Sequence, residues 1–170
     1  ALPLYESIGD RLGQANTLRG LGDLCLREAD LASARTHYQQ ALPLYESIGD
    51  RLGQANTLKG LGNLAQAEKQ WTNAIGFFEE AIKLNQAIGS DYNRSIVLTD
   101  MLPTLVALNR YEDALQNALE ALAIDSRLGL QHAIQVDKRT IQRLKNDIGE
   151  EKFKQAWEAV VGEEMPEWLR

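Results

Sequence analysis

The sequence is poor in the residues that covalent cross-linking and most active-site chemistry need. Its 170 residues include one cysteine, two histidines and four prolines, and aromatic residues make up 6%. A single cysteine, Cys25, cannot close a disulfide within the chain, so the fold does not depend on an oxidising compartment and we expect a cytoplasmic location. Two histidines leave little material for acid–base catalysis or metal binding. We therefore expect no enzyme activity, no cofactor and no metal site.

Long apolar runs and an excess of positive charge are also missing. No segment approaches the roughly 20 apolar residues that a membrane-spanning helix needs, and no secretion signal opens the chain. The net charge is −6, from 18 Lys+Arg and 24 Asp+Glu, and no block is basic enough to indicate a nucleic-acid partner. The content of 44% hydrophobic and 25% charged residues is typical of a folded domain. We expect neither a membrane nor a nucleic acid among its partners.

The most prominent feature that is present is a repeat of 40 residues. Residues 1–18 recur letter for letter at 41–58, and 24 of the first 40 positions are identical in the second 40. A glycine marks the same place in four successive periods, at Gly9, Gly49, Gly89 and Gly129. Repeats of this length are typical of arrays in which each period is one supersecondary unit stacked on its neighbour.

Each period contains two groups of apolar residues at helical spacing. In the second period these groups are Leu58, Leu61, Gly62 and Ala65, followed by Trp71, Ala74, Phe78, Ala81 and Ile82. The spacing predicts two amphipathic helices, over about 50–68 and 71–88. The glycine that ends a period suits a left-handed helix terminus, and the Asp10, Asp50 or Ser90 that follows suits an N-cap. Since such a hairpin buries only one side of itself, the sequence predicts an all-α array of stacked antiparallel hairpins.

These positions resemble the signature of the tetratricopeptide repeat (TPR). The first and third repeats hold matching residues, namely Leu18, Leu21, Gly22, Cys25, Leu31, Ala34, Tyr38 and Ala41, and Leu98, Met101, Leu105, Tyr111, Ala114, Ala118 and Ala121. The resemblance implies a right-handed α-solenoid that has no catalytic role and binds a protein or peptide in its concave groove. Versions with about forty residues are familiar from kinesin light chains, spindle-orientation adaptors and bacterial STAND-type signalling proteins.

The period divides the chain into six segments. Residues 1–9 are predicted to end helix B of a truncated preceding repeat, and further repeats are expected upstream. The repeats follow at 10–49, 50–89 and 90–129, then a degenerate capping repeat at 130–162 and a tail at 163–170. The phrase IGEEKFKQAW in the cap resembles the end of arrays in bacterial multidomain signalling proteins. We expect Pro166 to end the last helix and the tail with Trp168 to fold back over the cap, and the alternative is a docking peptide.

In a TPR stack the first helix of each repeat lines the groove, so the residues beside its buried stripe are the candidate partner-binding residues. They are Asn16, Arg19, Asp23 and Arg27 in repeat one, Asn56, Lys59, Asn63 and Gln66 in repeat two, and Ile96, Thr99, Pro103 and Val106 in repeat three. Lys59 and Asn63 resemble the start of the carboxylate clamp of chaperone-binding TPR adaptors. The third repeat has Ile96 and Asp100 where such a clamp has Lys and Arg, and Asp23 replaces the Asn of repeat one.

Two readings of the groove therefore stay open. One is a polar groove for an extended or helical peptide, within a larger, multidomain bacterial signalling protein. The other is a structural spacer, or a module that self-associates through an uncapped N-terminal repeat. Pro3 and Pro43 predict a bend in second helices, and Pro103 predicts a kink in the first helix of repeat three that widens the groove, because proline removes the hydrogen bond to the carbonyl four residues back.

Overall fold

The computed structural model describes residues 10–169, and most of these residues lie in α-helices. Within that range the chain forms nine α-helices and no strand. The expected end of a preceding repeat at 1–9, with Pro3, lies outside the described residues. The helices are α1 (Arg11–Arg27), α2 (Leu31–Ile48), α3 (Arg51–Ala67), α4 (Trp71–Ala87), α5 (Asp91–Asp100), α6 (Leu102–Ala107), α7 (Tyr111–Arg127), α8 (Gln131–Ile148) and α9 (Glu150–Val160). A 3-10 turn, Glu167–Leu169, follows.

The two helices predicted for the second period are α3 and α4, within one residue of the predicted bounds at each end. The predicted N-caps Asp10 and Asp50 are also found. The Asp10 carboxylate accepts a hydrogen bond from the Gly13 amide at 2.8 Å, and Asp50 does the same for Gly53 at 2.9 Å. Gly49, Gly89 and Gly129 are left-handed, with φ of 71°, 68° and 70°. The glycine therefore turns the chain from each hairpin into the next.

The chain divides into two compact units, residues 1–90 and residues 91–170. In the first unit, α1 pairs with α2 and α3 with α4, while α2 and α1 both pack on α3. Its core contains Ala34, Tyr38, Leu61 and Leu64, all at least 95% buried. Helix α2 runs without interruption through Pro43.

Small residues let the helices of this unit approach one another closely. The ring of Tyr38 lies between Gly22 of α1 and Gly60 of α3, where an added Cβ would come within 2.7 Å of the ring on either side. The ring of Phe78 fills the corresponding space over Gly62. Close packing thus accounts for the glycines at positions 22, 60 and 62.

In the second unit, α7 packs against α5, α6, α8 and α9. The first helix of repeat three is interrupted at Met101, which separates α5 from α6. Pro103 has no amide hydrogen to offer the Thr99 carbonyl, which accounts for this interruption, and the kink itself stays a prediction. Arg94 of α5 makes ion pairs with Asp91 and with Glu120 of α7, which ties the two helices together.

The segment after α9 folds back onto α8, as expected. Leu169 is 3% exposed, and its carbonyl accepts a hydrogen bond from Lys145 Nζ at 3.2 Å. Gln142 Nε2 donates to the Trp168 carbonyl at 2.8 Å. The expectation that Pro166 ends the last helix is wrong, because α9 ends at Val160 and the left-handed Gly162 (φ 71°) turns the chain before Pro166 is reached.

Candidate partner-binding groove

Helices α1 and α3, the first helices of two successive repeats, frame a pocket of about 390 Å³ in the first unit. The two helices contribute residues from equivalent positions of their repeats. Arg19 and Lys59 are 40 residues apart, as are Asp23 and Asn63. Six of the eight groove residues predicted for repeats one and two line this pocket. The full lining is Arg19, Asp23, Leu26, Arg27, Tyr38, Asn56, Lys59, Gly60 and Asn63.

Asp23 is held in place by donors from two helices. Its Oδ2 pairs with Arg19 Nη1 at 2.9 Å on α1, and its Oδ1 accepts a hydrogen bond from the Tyr38 hydroxyl of α2 at 2.7 Å. Burial, followed by the hydrogen bond to Asp23, raises the pKa of Tyr38 well above its ordinary value of 10.0. Tyr38 therefore keeps its proton and remains the donor in this contact.

The second repeat carries a matched pair of differences at these positions. Asn63 replaces the aspartate and Phe78 replaces the tyrosine, so a neutral amide stands where no phenol hydroxyl is available. A carboxylate at position 63 would lack the phenol donor that Asp23 has. The pairing of aspartate with tyrosine, and of asparagine with phenylalanine, follows from hydrogen-bond satisfaction.

The formal charge of the pocket is opposite to that of the chain. Arg19, Arg27 and Lys59 contribute three positive charges and Asp23 one negative charge, which gives +2 in a chain of net charge −6. Arg27 Nε also donates to the Asp23 carbonyl at 3.3 Å, which places its guanidinium beside the pocket. A pocket of this charge favours an anionic group.

Asn16 and Gln66, the other two predicted residues of these repeats, and the four predicted residues of repeat three lie outside this lining. The amide oxygen of Asn16 accepts a hydrogen bond from the Tyr45 hydroxyl at 2.7 Å, and Gln66 lies half-buried near the end of α3. Thr99 belongs to the second unit, where it lines a cleft of about 460 Å³ with Pro103 and Val106. Its hydroxyl donates to the Ile96 carbonyl at 2.9 Å.

Sequence reasoning missed two polar features. The repeat pattern places Tyr38 among the apolar positions, although its hydroxyl donates to Asp23 in the pocket. Only the paired change from Asp23 and Tyr38 to Asn63 and Phe78 in the next repeat could have indicated this contact. The second feature is a buried acidic pair in the second unit, Asp125 and Asp137, each 4% exposed. Both line a hollow of about 180 Å³ together with Ile96, Thr99 and His132.

The described histidine, cysteine and carboxylate side chains do not gather into a metal site. No group of three or more His, Cys, Asp or Glu residues suited to a metal ion occurs between residues 10 and 169. Cys25 is half-buried. His37 is also half-buried, with its Nδ1 enclosed. Over the same described range, no helix combines the length and hydrophobicity required to span a bilayer.

Helix hairpins that recur every 40 residues, with the first helices lining a polar pocket, define an α-helical repeat protein. The sequence matches the model of the tetratricopeptide repeat over residues 1–47 and 53–127, and the chain therefore belongs to the TPR family. TPR repeats generally mediate protein–protein interactions, and their fold is non-catalytic.

A crystal structure of BtubC (BKLC) from P. vanneervenii has a similar fold, with a TM-score of 0.73 and 16% sequence identity. The match covers 98% of this chain and 69% of that chain. It confirms the predicted fold class, an all-α solenoid of the TPR type. The comparison with curated proteins gave no match.

Proposed function

We propose that this chain binds a peptide segment of a partner protein in the groove between α1 and α3. The observation that carries the proposal is the convergence of Arg19, Arg27, Lys59, Asn56 and Asn63 on one pocket. Cationic and amide side chains on rigid helices can bind acidic side chains or main-chain carbonyls of a peptide without first being ordered.

The packing beneath the pocket supports this proposal. Tyr38 and Gly60 set the distance between α1, α2 and α3, and Arg19 and Tyr38 hold the Asp23 carboxylate. A binding surface whose side chains are positioned before the ligand arrives loses less entropy on binding. Specificity then depends on which residues occupy the lining positions of each repeat.

The proposal extends to the setting in which the chain works. We propose that it serves as the sensor or interaction arm of a larger cytoplasmic signalling protein, as its resemblance to STAND-type arrays suggests. Binding in the groove would then bias an attached effector domain. This extension rests on analogy of fold and sequence pattern.

Alanine substitution of the pocket tests the binding proposal. The variant R19A/K59A/N63A removes three lining side chains, and the control R51A/K83A/N73A removes the same three residue types at exposed positions outside the pocket. Proteins captured by the wild-type chain are identified by mass spectrometry, purified, and titrated against all three chains by calorimetry. We expect the pocket variant to bind about tenfold more weakly or worse, because charged hydrogen bonds are lost.

The control variant should retain wild-type affinity for the same purified partner. Equal affinity of all three chains would contradict groove binding. That result would favour the alternative role, a structural spacer or a self-association module, for which sedimentation velocity would show whether the chain forms dimers.

A further inference from the structure

The pocket between α1 and α3 contains more positive charge than one carboxylate would neutralise. Its lining carries a formal +2, and a phosphate monoester on a side chain carries about −1.5 to −2 at pH 7. A glutamate or a C-terminal carboxylate carries one negative charge, which is half of that formal charge. Charge matching therefore favours a dianion.

The chemistry of the donors points the same way. Two guanidinium groups, Arg19 and Arg27, can offer paired N–H donors to phosphate oxygens, and Lys59 adds a compact ammonium charge. The side-chain amides of Asn56 and Asn63 supply neutral donors on the facing helix. Leu26 is the one aliphatic side chain in the lining, so the pocket offers little surface to an apolar group.

Asp23 would repel an anion, and its contacts limit that repulsion. Arg19 at 2.9 Å and the Tyr38 hydroxyl at 2.7 Å occupy the two carboxylate oxygens and hold them against the wall. The repulsion is reduced but not removed, since a carboxylate keeps its charge when it accepts hydrogen bonds. Neutralising Asp23 should therefore strengthen the binding of an anion.

We propose that this pocket is a subsite for a phosphate monoester, carried by a phosphorylated side chain of the partner. The proposal rests on the proposed function for its biological setting, but the subsite can be tested with small probes alone. N-acetyl-phosphoserine amide represents the dianion, and N-acetyl-glutamic acid amide represents the carboxylate.

The test is a titration of the ¹⁵N-labelled full chain with each probe at matched ionic strength and pH 7.5, followed by NMR. We expect phosphoserine amide to shift signals of the pocket residues on α1 and α3 and to bind about tenfold more tightly than the glutamate probe. Its affinity should fall at pH 5.5, where the phosphate becomes a monoanion, and should fall as salt is added.

Two variants and one control complete the experiment. R27A/K59A should weaken phosphoserine amide binding about tenfold, whereas D23N should tighten it about threefold, because the first removes positive and the second removes negative charge. In D23N the amide oxygen can still accept the hydrogen bond from the Tyr38 hydroxyl, so this variant should fold normally. R51A/K83A, which removes two exposed cations outside the pocket, should bind like the wild type.

Equal affinity for the two probes, or signal shifts spread over lysines and arginines outside the pocket, would overturn the phosphate proposal. An unchanged affinity in both R27A/K59A and D23N would also overturn it. The two proposals can fail separately. A partner lost by R19A/K59A/N63A while phosphoserine amide does not bind would leave groove binding intact, and the converse would leave the anion subsite without a role in partner binding.

Discussion

At the scale of single residues, Gly20 and Gly22 of α1 look alike in the sequence but differ in the space around them. Gly22 faces the Tyr38 ring, and a Cβ there would lie 2.7 Å from a ring carbon. Gly20 is exposed, and a Cβ there would meet nothing within 4 Å. The two residues stand two positions apart in one helix, which makes them a matched pair.

We expect G22A and G20A to change stability in opposite directions. Overpacking against Tyr38 should lower the free energy of unfolding of G22A by about 1–3 kcal/mol. The better helix propensity of alanine should raise that of G20A by about 0.5–1 kcal/mol. Urea denaturation followed by circular dichroism measures both, and a stabilised G22A would contradict the close contact.

Asp137 is the residue from which a pH dependence is expected. Burial, followed by the nearby Asp125, raises its pKa from the ordinary 3.8 to about 6. The titratable groups around the same hollow are Asp125, His132 and Tyr92. Because the folded state favours the protonated acid, the stability from this group is present below about pH 4 and is lost as pH rises through about 6.

The variant D137N removes this titration. The free energy of unfolding of the wild type, taken relative to D137N, should fall by up to about 3 kcal/mol between pH 4 and pH 7. D147N, an exposed change on the same helix, should follow the wild-type curve. A wild-type minus D137N difference that stays constant with pH would show that Asp137 titrates normally.

At the scale of helices, Pro103 sets the shape of the first helix of repeat three. Its ring is exposed, so its removal creates no cavity, while an alanine amide can donate to the Thr99 carbonyl. We expect P103A to join α5 and α6 into one helix over residues 91–107 and to raise the free energy of unfolding by roughly 1–3 kcal/mol. A crystal structure of P103A that retains the break at Met101 would contradict this cause.

The groove-widening effect of this break stays a prediction. Thr99, Pro103 and Val106 line the cleft of the second unit, so P103A also offers a test of it. A straight helix should narrow the cleft between α5, α6 and α8. The two prolines differ in their effect, because α2 continues through Pro43 whereas the helix before Pro103 is interrupted.

At the scale of the whole molecule, the repeat predicts additive energetics. The stability of an array is close to a sum of repeat and neighbour-interface terms. Removal of residues 1–49 should therefore lower the free energy of unfolding by a partial step and leave a helical, cooperatively unfolding remainder. Complete loss of helical circular dichroism on that truncation would indicate a single global core.

The 40-residue period made most of the fold predictable from the sequence. Periodic small and apolar residues located the helices, and Gly49, Gly89 and Gly129 located the turns between hairpins, because both signals depend on local sterics. The turns inside the hairpins were not predictable in the same way. At these turns Ala29, Lys69 and Asn109 adopt the left-handed conformation. None of them is a glycine, so the sequence does not mark these turns as Gly49, Gly89 and Gly129 mark the others.

The candidate site was predictable only in part, because the sequence shows local spacing but not the contacts between helices. Helical spacing fixed which side chains of α1 and α3 share a face, and six of those lie around one pocket. Contacts between helices decided the rest. Tyr45 engages Asn16, Tyr38 engages Asp23, and Asp125 meets Asp137, and each of these pairs is separated by 12 or more residues in the chain.

The most direct test of the central claim is a crystal structure of the chain bound to its captured and purified partner. The account predicts that a segment of the partner lies between α1 and α3, with an anionic group within hydrogen-bond distance of Lys59 and of Arg19 or Arg27. A partner bound to the outer helices α2 and α4, with the pocket left open to solvent, would contradict it.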